Sequence, residues 1–121
     1  MTKPRKYSGG TEFGMWLRKQ KAIDSSKGYL ATDIDWLWLN TRTGQSMILE
    51  EKRFMNEPAQ WQRGVLSWLH KLLKKDEGFC GAHLLQFEHS GPQDGAIYID
   101  KEKVTELELL RFLFYMDRRQ P

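Results

Sequence analysis

The sequence predicts an α/β fold, a mixed central sheet of about four strands flanked by helices. Three observations carry that expectation. Residues 30–39 (LATDIDWLWL) and 46–54 (SMILEEKRF) alternate with a period near two and are joined by a turn-like segment containing Gly44, a hairpin signal. Residues 58–75 carry an apolar stripe at helical spacing. A last segment, Thr105 to Arg118, is apolar almost all round.

Taken in order, residues 1–10 read as a flexible basic arm, and residues 11–121 as a single domain. Thr11 is a candidate N-cap for a first helix from Glu12 to Ile23, with Phe13, Trp16, Leu17 and Ile23 on one stripe. Asp24 to Gly28 breaks that helix. In the first strand Asp33, Asp35, Leu37 and Leu39 share one face, and Trp36 and Trp38 share the other, where they are expected to pack under a helix. In the second strand Ile48, Glu50 and Lys52 lie opposite Met47, Leu49 and Glu51. Pro58 opens the long helix, whose stripe is Trp61, Val65, Leu66, Leu69, Leu72 and Leu73, with Gln62 in its middle. Residues 81–88 read as a third strand and 95–100 as a fourth, shorter one. Thr105 caps the last helix, where Leu107, Leu110 and Phe114 make one stripe and Leu109, Leu113 and Met116 another.

The bulk numbers narrow the function classes. A chain of 121 residues, 40% hydrophobic and 12% aromatic, has a folding composition. It contains no run of eighteen apolar residues, and residues 1–10 lack an apolar signal core, so a cytoplasmic protein is expected. Cys80 is the only cysteine, which excludes an internal disulfide and a thiolate zinc cluster. The three histidines have no metal-ligand spacing. A net charge of +3 is compatible with a polyanionic partner, although the basic clusters also read as solvated helix faces.

Asp35, Glu50 and Lys52 stand out because charges are costly inside otherwise apolar strands. Two carboxylates on adjacent strands, aimed to one side, repel each other unless a cation neutralises them. Such a hard-oxygen pair suits Mg²⁺ or Mn²⁺, with the backbone carbonyl of Glu51 as a natural third ligand. A lysine two residues after Glu50 projects from the same face and can stabilise charge developing on a phosphate. The bland alternative is that Glu50 and Glu51 are exposed charges on an edge strand, paired with Lys52 and Arg53.

An acid on one strand, then a 14-residue gap, then Glu50-Glu51-Lys52 on the next resembles the PD-(D/E)XK nuclease superfamily. The likeness is to its small members, such as archaeal-type Holliday junction resolvases and VRR-NUC domains, several of them phage-encoded. It covers roughly residues 12–90. It implies a restriction-endonuclease-like core, with Asp35 and Glu50 as metal ligands, Lys52 as the catalytic lysine, and Glu12 and Gln62 assisting. It also implies Mg²⁺-dependent hydrolysis of phosphodiester bonds in branched or structured DNA. Lys6, Arg18, Lys19, Arg53 and Arg63 are the basic residues expected to meet the DNA. The chain departs from the pattern at Ile34, where the family name has proline, and in the short segment before Asp35. No tyrosine follows Gln60 or Gln62 by four residues. Two other readings stay open: a catalytically silent module of the same fold that binds nucleic acid or protein, and an unrelated α+β protein that dimerises. A homodimer through the last helix is expected on the nuclease reading too, because one of its two stripes has no place in a small core.

Overall fold

The computed structural model describes residues 11–116; the basic arm with Lys6 and the last helix's expected end at Arg118 lie outside the described residues. The chain divides into two compact units with the boundary between Asp33 and Ile34. In the first, the Thr11 hydroxyl accepts a hydrogen bond from the Gly14 amide at 3.0 Å and starts helix α1, Glu12–Arg18. The helix expected to reach Ile23 ends at Arg18; two 3₁₀ turns follow, Lys21–Ile23 and Ser25–Lys27. Asp24 diverts the backbone by accepting from the Ser26 amide, and Gly28 closes the second turn in the left-handed region, at φ 91°.

The second unit is built on a five-stranded mixed sheet of order β1-β2-β3-β4-β5. Strands β1 (Trp36–Leu39) and β2 (Ser46–Lys52) form the expected antiparallel hairpin. Helix α2 (Gln60–Leu73) crosses over and returns the chain as β3 (Phe79–Phe87), parallel to β2. Strands β4 (Ile97–Ile99) and β5 (Glu102–Val104) add antiparallel pairs, and Thr105 caps helix α3 (Glu106–Leu113) with a reciprocal Glu108 bond.

The sheet therefore has five strands where about four were expected. The extra one, β5, follows a two-residue turn in which Asp100 and Lys101 both have positive φ, 50° and 73°. The first strand is shorter than its alternation implied: ladder pairing begins at Trp36. The last helix ends at Leu113, and Tyr115 turns back at φ 61°.

One face of the sheet carries the main core. Met47, Leu49, Leu85, Phe87, Ile97, Ile99 and Val104 pack with Leu109 and Phe112 of α3. On the other face, toward α2, lie Ile48, Glu50, Lys52 and Gln86, the last two register partners across β2 and β3. No helix among the described residues is long and apolar enough to cross a membrane.

Candidate functional site

β2 is an interior strand, with β1 on one side and β3 on the other, so both of its edges are paired. Met47 through Glu50 are all buried, Met47 and Leu49 in the core and Ile48 and Glu50 on the opposite face. Glu50 is 5% exposed, and the reading of Glu50 as an edge-strand surface charge fails on that geometry. Lys52, two residues on and on the same face, places its Nζ 3.4 Å from Glu50 Oε2; its side chain is 20% exposed.

Asp35 precedes β1 by one residue. Continued past Trp36, which pairs with Leu49, the antiparallel register sets Asp35 against Glu50. The two carboxyl groups interact, and Asp35 Oδ2 also accepts the Glu51 amide at 2.9 Å. That bond takes the place of a ladder bond and explains why strand pairing starts only at Trp36. It also orients Glu51. The N–H and C=O of a strand residue point toward the same neighbour, so the Glu51 carbonyl is directed to the side occupied by Asp35. The Glu51 side chain goes the other way, where its Oε1 accepts from Trp36 Nε1 at 3.0 Å.

Burial and the neighbouring Asp35 charge push the Glu50 carboxyl above its ordinary range, and the Lys52 ammonium offsets only part of the rise. A buried and a half-buried carboxylate with a backbone carbonyl beside them are hard-oxygen donors, the set that suits Mg²⁺ or Mn²⁺ completed by water and substrate oxygens. Among the described residues no group of three or more His, Cys, Asp or Glu side chains gathers into a metal site, so the donors here are two carboxylates and a carbonyl.

The remaining expected site residues are placed as follows. The Gln62 side-chain oxygen accepts from the Ala59 amide at 2.9 Å, holding the first turn of α2. Arg63 is paired with Glu57 at 3.0 Å, and Arg53 is exposed. Glu12, Arg18 and Lys19 are exposed residues of the first unit. Trp36 and Trp38, expected to pack under a helix, remain 54% and 42% exposed. Trp38 is fixed by its Nε1 bond to the Leu113 carbonyl at 2.7 Å and by the Tyr115 hydroxyl donating to its own carbonyl.

Sequence reading missed two polar clusters. Gln86 is fully buried, with Nε2 donating to the Asn56 carbonyl and Glu57 Oε2, both at 3.0 Å. The signal was present: a lone amide inside the apolar run Leu84-Leu85-Gln86-Phe87 needs a partner. Glu57 in turn meets Lys101 and Arg63, which hold its carboxyl below the usual range along with Gln86. His83 faces Asp100 Oδ2 through Nδ1 at 2.6 Å and the Cys80 carbonyl through Nε2 at 2.7 Å, with its ring edge-on to Phe112. Both ring nitrogens are engaged, so His83 ties β3 to the β4–β5 turn. Compared with family models, curated proteins and solved structures, the chain shows no significant match.

Proposed function

We propose that this chain is a divalent-cation-dependent nuclease that hydrolyses phosphodiester bonds in DNA. The single observation that carries the reading is the apposition of Asp35 and Glu50, the latter buried on an interior strand with Lys52 beside it. A fold keeps a buried carboxylate against a second, half-buried one only when something offsets the cost, and a cation does. Asp35, Glu50 and the Glu51 carbonyl would hold Mg²⁺ or Mn²⁺. The bound cation would supply Lewis-acid polarisation of a phosphate and lower the pKa of water. Lys52 stays close enough to place its ammonium against charge developing on the phosphoryl oxygens.

The order hairpin, crossover helix, parallel strand, with the acids on the hairpin and the lysine two residues after the second acid, supports a PD-(D/E)XK core. Branched or structured DNA is the substrate class that the resemblance to small resolvases favours. The decisive assay incubates the protein with Mg²⁺ or Mn²⁺ and linear, flapped and four-way DNA, beside the Glu50→Gln variant. Cleavage by the parent that is lost in Glu50→Gln is expected. Identical products from both proteins would remove the reading.

A further inference from the structure

Resting on that nuclease reading, we propose that Gln86 is a positioning residue for Lys52: its buried side-chain oxygen receives the Lys52 ammonium once Glu50 is committed to a divalent cation. Gln86 is 0% exposed, and among the described residues its Oε1 has no hydrogen-bond partner. The identity of that atom is fixed by its neighbours. Two oxygens, from Asn56 and Glu57, lie 3.0 Å from the other terminal atom, which must therefore be the nitrogen. An acceptor left unpaired in the interior is an arrangement that folded chains keep rarely and for a reason.

The reason lies on the same face of the sheet. Lys52 and Gln86 are register partners across the parallel β2–β3 pair, so their side chains rise side by side at about the 5 Å strand spacing. As described, Lys52 leans on Glu50. A cation and an ammonium compete for that carboxylate, and the cation also repels the ammonium. Lys52 then needs an acceptor that carries no charge of its own to draw the metal away. An amide oxygen meets that need, and the loop carrying Asn56 and Glu57 holds the amide in place. Released from Glu50, Lys52 remains anchored with donors left over for a phosphate.

The test uses the full chain and Mg²⁺ itself. In ¹⁵N-labelled protein without DNA, the Lys52 Nζ–H signal, assigned by its loss in Lys52→Arg, is followed as Mg²⁺ is added. The parent is expected to show a Lys52 ammonium protected from exchange in Mg²⁺, and Gln86→Met an unprotected one. In cleavage assays Gln86→Met is expected to lower kcat about tenfold with KM little changed, and to lower it no further in a Lys52→Met background. A Lys52 signal equal in parent and Gln86→Met, or an equal kcat loss in both backgrounds, overturns the role of Gln86 and leaves the nuclease reading standing. A parent that binds no Mg²⁺ by calorimetry removes the nuclease reading and this inference together. Should Gln86→Met not fold, the parent itself decides: in ¹⁵N,¹³C-labelled protein with Mg²⁺, a scalar coupling across a hydrogen bond from Lys52 Nζ to the Gln86 side-chain carbonyl is expected, and its absence overturns the proposal.

Discussion

Glu50 occupies a position where an ionised carboxylate is costly, and its pH behaviour should report that cost. Its folded-state pKa is raised above the ordinary value of 4.5 by burial and by Asp35. A carboxyl of that kind holds its proton more tightly when folded, so its contribution to stability is present below the ordinary value and is lost as pH rises through the raised one. In chelator, Glu50→Gln is therefore expected to melt higher than the parent at pH 7–8, by the few degrees that about 1 kcal/mol produces, and to lose that advantage near pH 4. Asp35→Asn should act the same way, since an asparagine oxygen can still accept the Glu51 amide. A lower melting point for both variants at neutral pH would mean that the pair is structural. Lys52→Ala is expected to stay folded and bind Mg²⁺ in calorimetry while kcat falls about 100- to 1,000-fold, the loss typical of one charge-stabilising donor; parental turnover would sink its assigned role. Asp35, Glu50 and Lys52 were legible in the sequence because charges interrupt an apolar alternation there. Gln86 and His83 were not assigned roles because the partners Asn56 and Glu57 of the one, and Asp100 of the other, come from other segments that only folding brings close.

Among the elements, those with strong local signals were read correctly in kind: the β1–β2 hairpin, α2 and the Thr105 cap of α3. Boundaries failed where a side chain displaced the backbone pattern. Asp35 takes over a ladder bond and shortens β1. Strand β5 went unread because its two-residue turn is Asp-Lys, without the Asn-Gly or Asp-Gly that announces such turns. Asp100 compensates for its left-handed backbone through its carboxylate, with Oδ1 accepting the Leu84 amide at 2.8 Å and Oδ2 meeting His83. Asp100→Ala should remove both bonds and keep the strain, costing about 2–3 kcal/mol in urea unfolding. Asp100→Gly should recover part of the loss by relieving the backbone. Equal stability of Asp100→Ala and the parent would show that the turn is held by other contacts.

At the scale of the whole molecule, the two-stripe character of the last helix was legible, and the structure sorts the stripes. Leu109 and Phe112 are buried in the core with Leu113 packed against them, whereas Leu107, Leu110 and Phe114 are 60%, 49% and 65% exposed. Met116, expected beside Leu109 and Leu113, is exposed instead, because helical spacing stops at Leu113 and cannot place a residue beyond it. Leu107, Leu109, Leu110 and Leu113, with Pro92 and Glu106, line an open groove of about 370 Å³. Leu107 and Leu110 form one wall of that groove, and an exposed apolar wall of this kind can pack against the same wall of a second copy across a two-fold axis. Two copies are therefore expected to pair through α3, and the pair would present two sites of the kind a symmetric junction requires. Leu110→Glu places a charge in the middle of the stripe without touching Leu109 or Phe112. It should convert a dimer to a monomer in sedimentation at micromolar concentration while leaving the melting point of the monomer unit within a few degrees. A parent that sediments as a monomer, with and without DNA, would remove the dimer and with it the main argument for a junction over linear DNA.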